Sequence, residues 1–279
     1  MPTRRSFLLG GAAVVAAGGV ALEAAGVDRV LRQLGLRESD HRVDPSGWSV
    51  DEGSLPSTHA PASAPWAMSR PLGDAPLAGA IVCLHGRGEN HRFAFDAVHL
   101  HDVVAALRLP LGVAAVDGGE HSYWHARRDG TDAGAMLLDD FVPLVRRQLG
   151  IERLAVLGWS MGGYGALLAA ERRPDLFDAI VLGSPALWLD AGETASGAFD
   201  SREDFERNDV FAGLEELDPS RVRIDCGTHD PFIAGGRELA RRLGPEATAT
   251  FPDGYHDVPF WRSVAPAQVR FIADRLAPT

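Results

Sequence analysis

The sequence predicts an α/β fold, a mostly parallel central sheet with helices on both faces, from three features of the chain. Short runs that are apolar at every position, such as Leu154–Leu157 and Ala179–Leu182, alternate with stretches of helical periodicity. Strands of a parallel sheet are covered on both sides, so they read as unbroken apolar runs rather than as alternating ones. Several of the runs end in glycine-rich turns, among them His85-Gly86-Arg87-Gly88, Asp117-Gly118-Gly119 and Gly158-Trp159-Ser160-Met161-Gly162. Strand then helix recurs along the chain without an internal sequence repeat, the pattern of a sheet layered between helices.

Taken in order, residues 1–25 describe a destination rather than a fold. Arg4-Arg5 stands before an apolar run from Phe7 to Leu22, the layout of a twin-arginine export signal, and the run is short for a membrane span. Such a signal sends the chain to the periplasm, envelope or exterior of a bacterial cell. Small residues around positions 17–25 offer no single dominant cleavage site, so membrane contact through an uncleaved N-terminal segment stays open. Residues 26–77 form an N-terminal arm, rich in Pro, Ser, Gly and Asp from Asp40 to Leu77, with early strand pieces at Gly47–Gly53 and Trp66–Arg70. The core occupies 78–279. Its strands are expected at Ala78–Leu84, Leu111–Val116, Leu154–Leu157, Ala179–Gly183, Val222–Gly227 and Thr248–Phe251. Its helices are expected at Ala135–Gln148, where Leu137, Leu138, Phe141, Leu144 and Val145 share a face, and at Gly162–Ala170, Ala234–Leu243 and Ala265–Leu276. The segment 185–219, with Trp188, Phe199, Phe205 and Phe211, is the candidate for a small lid. About 250 residues beyond the signal suffice for one α/β domain.

The chemistry centres on Ser160. A Gly-x-Ser-x-Gly turn between a buried strand and a helix lifts the serine hydroxyl clear of the sheet, and Gly158 and Gly162 relieve the crowding that the strained turn creates. A nucleophilic serine needs a base to take its proton and a carboxylate to orient that base. Asp230, in Gly227-Thr228-His229-Asp230-Pro231, follows an apolar strand, and His256, in Gly254-Tyr255-His256-Asp257, lies between the last strand and the final helix. Nucleophile, acid and base in that order are the order of the α/β-hydrolases. The negative charge of a tetrahedral intermediate needs backbone N–H donors, expected from Met161 and from Arg87, with Gly86 and Gly88 letting the loop approach. The Arg87 side chain meets either an acidic substrate group or solvent.

The segments Leu84-His85-Gly86-x-Gly88, Gly158-Trp159-Ser160-Met161-Gly162-Gly163, Cys226-Gly227-Thr228-x-Asp230 and Gly254-Tyr255-His256-Asp257-Val258-Pro259-Phe260-Trp261 together resemble the esterase branch of the α/β-hydrolases. That branch includes esterase D-like enzymes, feruloyl esterase-like proteins and mycobacterial mycolyltransferases. The resemblance spans roughly 77–276 and implies a Ser160, Asp230, His256 triad acting on small or medium esters through an acyl-enzyme, with no cofactor. It implies a substrate pocket near the 117–124 loop, with Gly118, Gly119, Tyr123, Trp124, Trp188 and Trp261 as candidate lining. The chain departs from the mycolyltransferases in carrying Asp230 where they use glutamate. Acyl transfer to a sugar or envelope alcohol is the first alternative, and a non-catalytic envelope or binding protein is the second. In the strand order of the resembled fold, two strands separate those carrying Cys83 and Cys226, about 14 Å at the usual spacing. The resemblance therefore implies two free, buried thiols.

Composition narrows the partners. With 27 Lys plus Arg against 38 Asp plus Glu, the formal charge is −11. A chain of that charge offers no positive field to phosphate, which argues against a nucleic-acid partner. Two isolated cysteines and scattered histidines have no metal-ligand spacing, so no metal site is expected.

Overall fold

The computed structural model describes residues 48–60, 63–71 and 76–277. The export segment and the start of the arm lie outside the described residues. Among the described residues eight strands form one sheet in the order β1-β2-β4-β3-β5-β6-β7-β8. They are β1 (Trp48–Leu55), β2 (Ala64–Pro71), β3 (Gly79–Leu84), β4 (Leu111–Val116), β5 (Leu154–Trp159), β6 (Ala179–Gly183), β7 (Val222–Asp225) and β8 (Thr248–Thr250). β1 pairs antiparallel with β2 and β2 antiparallel with β4, and every other pairing is parallel. The sheet is thus mostly parallel, with an antiparallel hairpin at one edge.

The helices are α1 (Leu100–Ala106), α2 (Val142–Leu149), α3 (Met161–Arg172), α4 (Arg202–Arg207), α5 (Ile233–Leu243) and α6 (Val258–Leu276). A π-helical stretch, Met136–Phe141, runs straight into α2. Core lies on both faces of the sheet. Successive residues of β5 point to opposite sides: Leu154 and Val156 join the layer of Met136, Phe141 and Leu167, while Ala155, Leu157 and Trp159 join that of Phe93, Val269 and Ile272. Every residue of β3, β4, β5 and β6 is buried, which is why those strands read as uniform apolar runs.

α6 begins at Val258, seven positions before the helix expected from the sequence. Asp257 caps it by accepting from the Phe260 N–H at 2.9 Å, and Pro259 occupies the first turn, where no intrahelical donor is lost. Pro266 sits inside the helix and masks its continuity in the sequence. The expected lid segment, between β6 and β7, holds 3-10 turns and α4. Among the described residues no helix is long and apolar enough to cross a membrane, and no group of three or more His, Cys, Asp or Glu is arranged to hold a metal.

Cys83 ends near the top of β3 and Cys226 follows β7, with β5 and β6 between them. Both are buried and unpaired, and burial pushes both thiols well above the usual range. The thiolate is the reactive form. Native protein should therefore resist alkylation at both positions, and denatured, unreduced protein should be labelled at both. Mass spectrometry of the two samples checks this.

Candidate active site

Ser160 stands between the last residue of β5 and the first of α3, with φ 55 and ψ −117. A non-glycine residue held there stores about 1–3 kcal/mol of backbone strain. The surroundings over-determine the turn: the Ser160 N–H donates to the Gly183 carbonyl at 3.0 Å, and the Ser160 carbonyl accepts from Ala186 at 3.0 Å and Tyr164 at 3.1 Å. The two motif glycines have steric causes. A Cβ on Gly158 would run into the Gly162 carbonyl, and a Cβ on Gly162 would run into the Leu84 carbonyl of the neighbouring strand.

The base and acid reach the serine from two other loops. His256 Nε2 lies 2.9 Å from Ser160 Oγ, and His256 Nδ1 lies 2.8 Å from Asp230 Oδ2. The other Asp230 oxygen accepts the Phe232 N–H at 2.8 Å, which fixes the plane of the carboxylate. Asp230 is 2 % exposed, while the His256 side chain is 23 % exposed. With Nδ1–H donated to the buried carboxylate, Nε2 is left as the acceptor for the serine proton. This is the hydrogen-bonded relay that nucleophilic catalysis by a serine requires.

The acid and base loops are joined by backbone. Thr228 N–H donates to Pro252 at 2.9 Å and His229 N–H to Gly254 at 2.9 Å. A Cβ on Gly227 would strike the Gly254 carbonyl, so the two loops cross at glycine-to-glycine distance. His229 also stacks on Tyr255 with ring centroids 5.0 Å apart.

The loop expected to supply the second oxyanion donor lies against the nucleophile. A Cβ on Gly86 would sit 3.5 Å from Ser160 Cβ, and Gly88 takes φ 75. His85 holds this loop. Its Nε2 accepts the Gly118 N–H at 2.9 Å, so its proton resides on Nδ1, which donates to the Gly86 carbonyl at 2.8 Å. Burial lowers the His85 pKa and keeps the ring neutral, as that double role demands. Met161, the other expected donor, is fully buried at the start of α3.

The expected pocket residues divide. Tyr123, Trp188 and Trp261 belong to an aromatic girdle that reaches the base: Tyr123 lies 5.5 Å from Trp188, Trp188 5.5 Å from Phe232, Phe232 5.2 Å from His256, and Trp261 5.2 Å from His256. Trp124 is core instead. It is 1 % exposed, and its indole fills the space against Gly118 and Gly165, where either glycine's Cβ would collide with it. Gly118 serves as the His85 partner, and Gly119, with φ 86, lines a separate cavity of about 720 Å³ whose walls hold no triad residue. Phe232 carries no motif signal; its position two residues after the acid was the available clue. Beside it, Leu187, Trp188, Leu189, Pro231, Phe232 and Ala234 help to line an apolar recess of about 370 Å³.

A family model described as alpha/beta hydrolase fold matches residues 79–229. Among solved structures, a ferulic acid esterase is similar at 20% identity, with 82% of this chain and 98% of that chain covered and a TM-score of 0.70. An S-formylglutathione hydrolase from Agrobacterium tumefaciens is similar at 18% identity, covering 83% of this chain and 96% of that one, with a TM-score of 0.68. A fluorophosphonate-binding serine hydrolase of Staphylococcus aureus is similar at 16% identity, covering 82% and 99%, with a TM-score of 0.67. At these identities the likeness is one of fold. No curated protein matches the sequence.

Replacement of Gly162 by alanine tests the elbow. The added methyl meets a main-chain carbonyl that has no room to retreat. Gly162→Ala should lower the unfolding free energy by about 3 kcal/mol or more. Urea denaturation of the two proteins measures it.

Proposed function

Since this chain belongs to the alpha/beta hydrolase fold family, we propose that it is a serine ester hydrolase working through an acyl-enzyme on Ser160. The observation that carries this reading is the continuous relay from Ser160 Oγ to His256 Nε2 at 2.9 Å and from His256 Nδ1 to Asp230 at 2.8 Å. His256 takes the hydroxyl proton as Oγ attacks the ester carbonyl, and Asp230 stabilises the imidazolium that forms. The oxyanion falls to the backbone N–H groups of Met161 and Arg87, and the closeness of Gly86 to Ser160 supports the second of these. His256 then returns the proton to the departing alcohol. Water repeats the sequence on the acyl-enzyme and releases the acid.

The apolar recess of about 370 Å³ beside Phe232 supports a small or medium acyl group. Ester activity of this kind predicts turnover of short p-nitrophenyl esters. Ser160→Ala should reduce kcat by about 10⁴-fold or more while the circular dichroism spectrum stays unchanged. Retained turnover in that variant would sink the reading.

Export by the twin-arginine route belongs to the same proposal, supported by Arg4-Arg5 ahead of the apolar run from Phe7 to Leu22. Fusion of the first 47 residues to a reporter that folds in the cytoplasm should send the reporter across the bacterial inner membrane. Paired Arg4→Lys and Arg5→Lys changes should retain it in the cytoplasm. Fractionation reads the outcome, and export indifferent to both changes rejects this route.

A further inference from the structure

Arg87 stands next to Gly86, the residue whose Cβ position is 3.5 Å from Ser160 Cβ. Its side chain is exposed, yet it is not loose. Nε–H donates to His121 Nδ1 at 3.1 Å, and the guanidinium lies close enough to Tyr123 to act on its ionisation. Tyr123 is the first ring of the aromatic girdle that runs through Trp188 and Phe232 to His256. The guanidinium is therefore held against the 117–124 loop, close to the first ring of the girdle, on a residue whose backbone adjoins the nucleophile.

Both of those partners are neutral. Accepting at Nδ1 requires that nitrogen of His121 to be unprotonated, and burial raises the Tyr123 pKa further above its ordinary value. Among the described residues no carboxylate lies within ion-pair distance of Arg87, and the Glu120 carboxylate stands one ring away, 3.8 Å from His121 Nε2. Nearby arginines behave otherwise: Arg127 pairs with Asp200 at 2.9 Å and Arg92 with Asp96 at 2.7 Å. A formal charge of −11 gives the chain ample acid to neutralise an arginine, and a net field that turns anions away. A fixed guanidinium with no direct carboxylate partner, on the loop that borders the nucleophile, offers the local exception. It has five N–H donors in a planar fork suited to a carboxylate, and the bond to His121 uses one of them.

We infer that the Arg87 side chain is a specificity determinant that selects esters bearing a carboxylate elsewhere in the molecule. This rests on the ester hydrolase reading and names the substrate class of the same site. The carboxylate belongs either to the acyl part, as in the half-ester of a dicarboxylic acid, or to the leaving alcohol.

Two substrate pairs separate these sources. Mono-p-nitrophenyl adipate against p-nitrophenyl hexanoate places the charge on the acyl side, and p-carboxyphenyl acetate against phenyl acetate places it on the alcohol side. The readout is the ratio of kcat/KM for the charged ester to that for the neutral one, in wild type, Arg87→Gln and Arg87→Glu. Each ratio is taken within one preparation, so loss of folded protein or of general catalytic competence cancels. In at least one pair the ratio should fall about tenfold or more in Arg87→Gln, the size expected when a hydrogen bond to a charged group is lost. It should fall further in Arg87→Glu, and the wild-type ratio should decline as salt is raised. The pair that responds identifies the side of the ester that carries the charge. Ratios that agree within about twofold across the three proteins in both pairs overturn the inference. If wild type turns over none of the esters and a fluorophosphonate fails to label Ser160, the hydrolase reading itself falls, an outcome distinct from the first.

Discussion

How closely the N-terminus of α3 approaches the ends of β3 and β5 determines the rest of the site. Leu84 is level with Gly158 across the parallel pairing, and the first turn of α3 passes over both. Methyl groups at Gly158 and Gly162 would each overlap a main-chain carbonyl, so the approach is made backbone to backbone. That crossing drives Ser160 into its positive-φ conformation and sets its hydroxyl above the sheet. It also occurs where the strand order reverses. From β3 the chain moves to β4 on one side and then returns to β5 on the other, so the loops after β3 and β5 diverge and leave a crevice at the carboxyl ends of the strands. Gly86 and Ser160 face each other across it.

Strain gathers along the same edge. Ser160, Ser184, Tyr123 and Trp124 all have positive φ without being glycine, and all follow strands at their carboxyl ends. Each needs surroundings that repay the cost. Trp124 shows how: its indole is 1 % exposed and occupies the space left by Gly118 and Gly165, so the same residue that looks like pocket lining in sequence is the anchor of the 117–124 loop. With Trp124 buried, its neighbour Tyr123 turns toward Trp188 at 5.5 Å and toward Arg87. The rim of the site is thus set by packing beneath it.

What the sequence disclosed follows from which forces act locally. β3 to β6 were legible because burial on both faces writes an apolar residue at every position, and the elbow was legible because its glycines keep a fixed spacing about the serine, although only the Gly158 contact, with Gly162, is local and that of Gly162 is with Leu84 of the neighbouring strand. The triad's order along the chain was legible for the same reason as its loops: each follows a strand. α1 was missed because it is a short helix entered through His99 at φ 56 rather than through a polar cap, and its sequence, Leu-His-Asp-Val-Val-Ala-Ala, has weak local preference. The early start of α6 was hidden by two prolines, one of which favours a helix start and the other of which argues against a helix interior. Of the aromatic girdle, Tyr123, Trp188 and Trp261 were named only through the family resemblance and Phe232 not at all. Tyr123, Trp188, Phe232 and Trp261 come from four separate segments and meet only once the sheet has placed their loops on one edge.

The acid's length ties these points together. Aspartate has a short side chain, so Asp230 reaches His256 at 2.8 Å only if its loop comes close to that of the base. The crossing of Gly227 under Gly254 supplies that approach, and hydrogen bonds from Thr228 and His229 to Pro252 and Gly254 hold it. A backbone-to-backbone seam resists side-chain motion and salt alike, because its donors and acceptors are part of the main chain. Asp230 gains a second fixed contact from the Phe232 N–H, and the Phe232 ring then lies 5.2 Å from His256. One residue thus aims the acid through its main chain and packs the base through its side chain. Orientation of the imidazole therefore depends on the same short turn that closes the apolar side of the pocket, and a change that loosened this turn would disturb proton transfer and acyl binding together.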